Sequence, residues 1–289
     1  MRLRTTIAAA AAAAVASIGV VMVTPAYAAS SAAYTCTGTL ANPPSSFGVI
    51  PAGTYRALNL PAGSACVING PGDVNVLSPV VLGSGAVLAM FGGSLEVHGG
   101  VTVGPNAIFA VPQNSTPVTI NGPVNVQSVA VFLVGVETPQ GPLFSSIRGG
   151  VTATDASSVQ IHNTTISGGV TSQDGGADNA AFDALANQGF PQNFFALEDN
   201  HINGRVIVNG YEGEWGGVIR DTINGGFTFT DNVQAVNPDE WDIGSLAIHG
   251  PATCANNSPA PNVGESPAGP STVSGPTRGN QAATCTSAA

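Results

Sequence analysis

The sequence predicts an all-β protein, a single-domain parallel β-helix in which short strands stack turn upon turn as a solenoid. Three features support this: a short motif that recurs along the chain, strands with two-residue alternation, and glycine pairs at corners. Each copy of the motif has a β-branched apolar residue, a polar or variable residue, a small pair and usually valine. The copies begin at Val76, Val97, Ile120, Ile147, Ile166, Ile202, Ile223 and Ile248. Their spacings, by subtraction, are 21, 23, 27, 19, 36, 21 and 25 residues, which is typical of solenoid turns.

The first 28 residues have the pattern of an export signal. Arg2 and Arg4 precede an uninterrupted run of small and apolar residues, and an A-x-A pattern ends at Ala28. We expect cleavage after Ala28, export through the general secretory route and a secreted, extracellular protein with no membrane span after cleavage. A retained membrane anchor is the alternative, but the apolar run is short for that role.

Four cysteines remain after the signal. An even number in an exported chain predicts disulfides, and four cysteines allow three pairings. We favour Cys36–Cys66 and Cys254–Cys285, because each pair is close in sequence and lies at one end of the repeats. A zinc site is the alternative, although no C-x-x-C or histidine spacing accompanies the cysteines.

The mature chain is predicted to have three parts. Residues 29–70, with the first disulfide, form an N-terminal cap over the open sheet edge. Residues 71–253 form the β-helix, with an insertion at about 172–199 that explains the 36-residue spacing and includes a helical pattern over Asp178–Asn187. Residues 254–289 are rich in proline, serine and glycine and are predicted to be a flexible tail.

The charge balance restricts the partners. The chain has no lysine, and the five arginines that follow the signal face 17 acids, which gives a net charge of −12 after cleavage. Nucleic acid is excluded because its binding depends on neutralising phosphates. An acidic polysaccharide is disfavoured for the same reason unless a cation bridges. A neutral polysaccharide or a cell-envelope glycan is the expected partner.

The repeated I-N-G-x-V motif and its spacing resemble those of secreted right-handed parallel β-helix proteins, the pectin-lyase-like superfamily, over residues 71–253. The resemblance implies the fold but no single reaction, because this fold has many activities. Pectate lyases of this fold use calcium held by aspartates and an arginine base, and polygalacturonases carry N-T-D, D-D, G-H-G and R-I-K motifs. This sequence has none of the polygalacturonase motifs, and no catalytic residue is carried over from the superfamily. The motif is also similar to that of bactofilins, which are polymerising β-helix proteins.

Most acids and both tryptophans lie on the later turns. Twelve of the 17 acids fall between residues 171 and 250. Two carboxylates can divide the acid and base roles of glycoside cleavage, and an indole can stack on a sugar ring. The catalytic candidates are therefore Glu212, Glu214, Asp239 and Asp242, and the ligand-binding candidates are Trp215 and Trp241. Alternatively the tryptophans pack on the solenoid while the acids face water, or the acids hold Ca²⁺.

We call the first residue of each motif copy its repeat anchor. Three aspartates, Asp155, Asp174 and Asp231, lie eight residues after a repeat anchor. Asp155 and Asp174 come from consecutive turns, about 4.8 Å apart in a solenoid, and could share a Ca²⁺ ion. The alternative is that they are corner residues, since aspartate is common in turns for its local backbone bonds.

Two further columns are expected from the repeat. One follows the anchor directly and could form stacked amide ladders; it contains His98, Asn121, Arg148, Ser167, Asn203, Asn224 and His249. The other is a partial threonine column, which could be an ice-binding face or ordinary outward strand positions; it contains Thr102, Thr152, Thr171 and Thr228.

These features favour an exported β-helix that acts as an extracellular or cell-envelope structural or carbohydrate-interaction module without catalysis. One alternative is a polysaccharide hydrolase or lyase that uses the acids of the later turns. Another is a bactofilin-like self-assembling polymer.

Overall fold

A computed structural model describes residues 32–113, 116–139, 141–186, 194–234, 241–262 and 269–286. The chain forms a parallel β-solenoid of about 10 turns, as the repeat predicted. The proposed export signal and Asp239 lie outside the described residues.

Most turns contribute one strand to each of three parallel sheets, and strands are numbered in chain order. Sheet 1 contains β1 (Ala33–Thr35), β4 (Ala57–Leu60), β7 (Val80–Leu82), β10 (Val101–Val103), β13 (Val124–Val126), β16 (Val151–Ala156), β19 (Val170–Gly175), β22 (Val206–Asn209), β26 (Phe227–Thr230), β30 (Ala252–Ala255) and β32 (Thr277–Arg278). Sheet 2 contains β2 (Gly48–Val49), β5 (Ala65–Ile68), β8 (Val87–Met90), β11 (Ile108–Val111), β14 (Val131–Val134), β17 (Ser158–His162), β20 (Phe194–Glu198), β24 (Trp215–Ile219) and β28 (Trp241–Gly244).

Sheet 3 contains the strands that end at or near the repeat anchors. They are β3 (Gly53–Tyr55), β6 (Asp73–Val76), β9 (Ser94–Val97), β12 (Val118–Ile120), β15 (Ser145–Ile147), β18 (Thr164–Ile166), β21 (His201–Ile202), β25 (Thr222–Ile223), β29 (Ala247–Ile248) and β31 (Thr272–Val273). A separate short pair joins β23 (Glu212–Gly213) to β27 (Val233–Gln234).

The core is a column of apolar side chains that stack on their counterparts one turn away. In sheet 1, Val101 pairs with Val124, and Val124 pairs with Val151. Phe109 and Phe132 stack in the same way, with ring centroids 5.3 Å apart. All five are at most 1% exposed, and burial of one such side chain stabilises the fold by about 1.5–3 kcal/mol. The alternating pattern thus places apolar residues inside and polar residues outside.

The glycine pairs mark the corner between sheet 3 and sheet 1. At Gly149 an added Cβ would overlap the backbone of Gly122 and Pro123, one turn away. The corner chains therefore approach too closely for a side chain. This close approach, rather than a positive φ, explains glycine at this position.

The insertion between β19 and β20 carries one short helix, α1 (Ala180–Ala186), within the segment where the sequence predicted one. The side chain of Asn179 caps it by accepting hydrogen bonds from the amides of Ala181 and Phe182 at 3.1 and 3.0 Å. Phe182, which is fully buried, packs on the outer face of sheet 2. The insertion therefore covers the early turns of sheet 2.

The sheets extend beyond both predicted limits of the β-helix. Within residues 29–70, β1 to β5 already pair with later strands, so this segment forms the first turns rather than a separate cap. Within residues 254–289, β31 and β32 continue sheets 3 and 1. Their apolar core is small: Cys254 and Cys285 are buried in it, and Val273 packs against it.

Both favoured disulfide pairings are confirmed. Cys36–Cys66 and Cys254–Cys285 join neighbouring parts of the first and last turns, with Cα–Cα distances of 5.9 and 6.3 Å. No helix in the described ranges is long and apolar enough to cross a membrane.

Each disulfide closes a loop of about 30 residues. Removal of Cys36–Cys66 by a double alanine substitution should lower the free energy of unfolding by about 3–4 kcal/mol, because the unfolded chain gains loop entropy. Denaturant titration of the variant and of the reduced and oxidised wild type would measure this. An unfolding midpoint that is the same for reduced and oxidised wild type would contradict it.

Candidate functional site

Trp241, a predicted ligand platform, is instead part of the core. It is 0% exposed and lies edge-on to Phe229 and Tyr211, with ring centroids 5.4 and 6.3 Å away. The strand alternation of β28 decides this, because Trp241 and Ile243 point inward. Trp241 therefore cannot stack on a sugar.

Trp215 lies on the outer face of sheet 2 and is half-buried. Its ring lies edge-on to Phe194, with centroids 5.6 Å apart, and covers Gly217. On the opposite face, Gly216 leaves room for Trp241, since an added Cβ there would overlap the indole ring. The glycine pair thus accommodates one tryptophan on each side of the sheet.

Substitution of Gly216 by alanine should lower the free energy of unfolding by about 1–3 kcal/mol, because the added methyl group overpacks the Trp241 ring. Gly70→Ala is the matched control, since an added Cβ at Gly70 meets nothing within 4 Å. Thermal unfolding of both variants measures the difference. Equal stability of the two variants would mean that the core can shift around Trp241.

The three predicted catalytic acids that the structure describes do not line one open groove. Glu212 is exposed and Glu214 is half-exposed beside β23, whereas Asp242 is 1% exposed. The backbone of Asp242 bridges that of Asn262. Asp239 lies outside the described residues. Asp242 is therefore closed to a polymeric substrate.

The aspartates at the common offset are corner residues with left-handed backbone. Asp155, Asp174 and Asp231 have φ of 54°, 55° and 59° at the corner between sheets 1 and 2. Aspartate tolerates this conformation better than most residues, so the turn interpretation accounts for the shared offset. Asp155 and Asp174 do lie on consecutive turns. The described residues contain no group of three or more acidic, histidine or cysteine side chains placed to hold a metal ion.

The polar column after the anchor forms the predicted amide ladder at one point. The side-chain amide of Asn224 donates to Oδ1 of Asn203 at 2.8 Å. Earlier in the column, Asn121 donates to Glu96 at 3.2 Å. These contacts run along the solenoid and support its stacking.

The outer face of sheet 1 carries an uncharged column over most of its length, and the column ends where Arg278 of β32 stacks on Thr253. From β4 to β30, nine residues stack in register and none is ionisable: Asn59, Val81, Thr102, Asn125, Thr152, Thr171, Ile207, Thr228 and Thr253. At about 4.8 Å per turn the column is about 38 Å long. It contains all four threonines of the predicted column, whose ice-binding interpretation stays a prediction.

The column doubles in width on four turns, because β16, β19, β22 and β26 are longer than the three-residue strands β7, β10 and β13 and add a second outward position. We call this area the sheet 1 patch; it consists of Thr152, Thr154, Thr171, Gln173, Ile207, Asn209, Thr228 and Thr230. Its eight side chains are exposed or half-exposed, and Thr230 donates to Asn209 at 2.8 Å. The aspartates of the left-handed corner border the patch on one side.

The other two sheets differ from sheet 1. Sheet 2 is covered in its early turns by α1. The outward column of sheet 3 includes Glu96 and His201, and Arg148 lies just beyond it. Between β4 and β30, the outward column of sheet 1 is therefore a long uncharged strip of the described solenoid, with Arg205 beside it and Arg278 at its end.

A charged cluster that the sequence interpretation missed lies at the corner between sheets 2 and 3. Arg220 makes a two-point contact with Asp199, with Nε–Oδ1 2.9 Å and Nη2–Oδ2 2.8 Å. Its Nη2 also donates to Glu137 at 2.7 Å and lies 3.9 Å from Oε2 of Glu198. The side chains of Arg220, Asp199 and Glu198 are at most 8% exposed, while Glu137 is 48% exposed. We call these residues, with His162, the Arg220 cluster.

His162 joins the cluster through Glu198, with Nδ1–Oε2 3.4 Å. Burial alone would lower the pKa of Arg220, but the hydrogen bonds and charges of Asp199 and Glu137 outweigh it and raise the pKa. Burial and the negative charge of Glu198 raise the pKa of Glu137, against the opposite effect of Arg220. Three carboxyl groups thus compete for one guanidinium group.

The repeat itself contains the signal for the central pair of this cluster, Asp199 and Arg220. Asn163, Asp199, Arg220 and Ser245 each precede a repeat anchor by three residues, and all four have positive φ between 47° and 59°. Counting backwards from the anchors would have stacked Asp199 on Arg220. Glu137 has no such signal, because it lies in a long connection between β14 and β15.

An open depression of about 390 Å³ lies beside the Arg220 cluster. Its lining includes Leu143, Asn200, His201, Thr222 and Ser245, together with Asp199 and Arg220. A second depression, of about 300 Å³, lies on sheet 1 around Asn59, Pro79 and Val81. Both are shallow features of the surface.

No family model, curated protein or solved structure matches this chain. The parallel β-solenoid is shown by the strand pairing.

Replacement of Arg220 by methionine should lower the free energy of unfolding by about 3–5 kcal/mol, because Asp199 and Glu198 would be left as uncompensated buried charges. Glu137→Gln should cost less than about 1 kcal/mol, since that carboxylate is half-exposed. Denaturant unfolding at pH 7 measures both. Addition of Asp199→Asn to the methionine variant should recover part of the loss, and a further loss would contradict the charge argument.

Proposed function

We propose that this protein is an exported, non-catalytic β-helix module, of the pectin-lyase-like type, that holds a neutral glycan along the outer face of sheet 1. The observation that supports this is the sheet 1 patch and its uncharged column. In a chain with a net charge of −10, this column keeps nine stacked outward positions free of charge.

The chemistry of the patch fits sugar hydroxyl groups. Threonine hydroxyls both donate and accept, and the amides of Gln173 and Asn209 add planar donors and acceptors. Ile207 supplies apolar contact in the middle of the patch. The aspartates along its margin accept hydroxyl hydrogens and repel polyanions, which favours a neutral ligand.

The shape of the face favours a polymer over a small molecule. Small-molecule sites are concave and enclose most of their ligand, whereas this face repeats the same groups every turn over about 38 Å. An extended or fibrous polysaccharide can make the same contact on successive turns. Many weak contacts then add to a stable attachment.

Export is supported by the signal pattern of the first 28 residues and by the two disulfides, which persist in oxidising compartments. A non-catalytic role is supported by the positions of Trp241 and Asp242, both of which are buried. The patch itself contains no pair of carboxylates that could divide acid and base roles.

Co-sedimentation of the signal-free protein with insoluble cellulose, chitin, β-1,3-glucan and peptidoglycan tests the proposal. Wild type should sediment with at least one of the neutral polymers. The double variant T152E/T228E should bind about tenfold more weakly, a loss of about 1.4 kcal/mol, because two carboxylates are added to the patch.

The matched control is T119E/T222E, which makes the same changes in the outward column of sheet 3. It should bind like wild type. Equal loss in both double variants, or no binding to any polymer, would overturn the proposal. Release of reducing or unsaturated sugar ends would indicate the enzymatic alternative, and growth of fibres in light scattering would indicate a bactofilin-like polymer.

A further inference from the structure

Buried amide side chains join successive turns at the corner between sheets 1 and 2 in a fixed geometry. Oδ1 of Asn232 accepts from the amide of Tyr211 one turn earlier at 2.9 Å, and its Nδ2 donates to the carbonyl of Val208 at 3.3 Å. Asn257 repeats this with the amide of Asn232 and the carbonyl of Phe229, at 3.1 and 3.0 Å. In both cases the carbonyl that accepts belongs to the residue three positions before the one whose backbone amide donates.

The corner between sheets 2 and 3 uses the same geometry. Oδ1 of Asn200 accepts from the amide of Thr164 at 3.0 Å, and its Nδ2 donates to the carbonyl of Ile161 at 2.8 Å. One turn later, Oδ1 of Asp221 accepts from the amide of Asn200 at 2.6 Å. Asp221 therefore occupies the ladder position that asparagine fills at the other three sites.

Asp221 differs from the three asparagines of the ladder in its second carboxyl oxygen, Oδ2, which replaces their amide nitrogen. By the rule of the ladder, Oδ2 takes the place of the Nδ2 donor, whose acceptor would be the carbonyl of Leu197, three positions before Asn200. Oδ2 is buried and makes no hydrogen bond among the described residues. Asp221 as a whole is 1% exposed. An ionised carboxylate has no hydrogen to donate there, whereas a carboxylic acid has one.

We propose that Asp221 is a neutral carboxylic acid at neutral pH, that it completes the ladder as asparagine would, and that its ionisation is an alkaline switch that loosens the corner carrying the Arg220 cluster. The surrounding charges agree with this. Glu198 and Asp199 approach from the preceding turn and repel a negative Asp221, while Arg220, its neighbour in sequence, is already engaged by Asp199 and Glu137. His162 contacts Glu198 one turn further away.

Burial raises the pKa of Asp221 well above its usual range, and the hydrogen bonds from Asn200 only partly oppose this. The folded pKa thus exceeds the unfolded value of about 4. The stability that this group contributes is fully present below pH 4 and decreases as the pH rises from 4 towards the folded pKa. Above the folded pKa, Asp221 ionises within the folded chain, and the carboxylate repels the Leu197 carbonyl and the acids of the cluster.

Thermal unfolding of wild type and Asp221→Asn between pH 4 and pH 9 tests the switch. Asparagine supplies the donor permanently, so the two proteins should melt together at pH 4, and the variant should melt about 5 °C or more higher at pH 8. Asp155→Asn is the matched control, because it makes the same change at an exposed corner. The difference in melting temperature between this variant and wild type should not grow with pH.

Infrared spectroscopy gives an independent readout that does not depend on stability. At pH 7 the wild type should show a protonated-carboxyl stretching band that Asp221→Asn lacks and Asp155→Asn retains. At alkaline pH this band should disappear from the wild type. Identical bands in wild type and Asp221→Asn at pH 7, or a melting difference that is constant with pH, would overturn the proposal.

Discussion

The parallel, in-register hydrogen bonding between successive turns is the constraint on which the rest of this structure depends. Every residue of a turn lies about 4.8 Å from its counterparts in the turns before and after it. The surroundings of each side chain are therefore provided largely by the residues stacked on it in the turns before and after. Valine stacks on valine in sheet 1, and Phe109 stacks on Phe132. Where a column of stacked side chains changes from apolar to polar residues, the polarity of that face of the solenoid changes with it.

The same constraint acts on the backbone at the corners. Two corners place residues in the left-handed region on turn after turn, and aspartate, asparagine and glycine fill most of these positions. Acids are thereby stacked for conformational reasons, before any chemical role is considered. At one corner this gives a row of exposed aspartates beside the sheet 1 patch. At the other it stacks Asp199 on Arg220 and builds a buried charged cluster.

The distribution of polar groups over the three faces separates structural from interacting surfaces. The early turns of sheet 2 lie under α1, and its later turns carry Trp215 and the cluster residues Glu198 and His162. Sheet 3 carries the amide ladder and scattered charges. Sheet 1 keeps a flat, neutral face along nearly the whole solenoid, and its widest part lies on the later turns. The buried polar ladders, by contrast, serve the stacking of turns, and one of their members is an acid.

The sequence by itself determined the solenoid and the helix of the insertion and favoured the correct disulfide pairings, because these follow from periodicity and spacing along the chain, whereas the three strands of each turn emerged from the structure. It also placed the threonines of sheet 1 in one column. Only the tertiary structure decided that Trp241 faces the core, since a shift of one residue within a strand turns a side chain from one face to the other, and that Asp242 is buried although it lies on the opposite face of the strand. Likewise, Glu137 reaches Arg220 through a connection with no repeat. The chain beyond residues 71–253 completes the solenoid because backbone hydrogen bonds, which leave little trace in composition, join its strands.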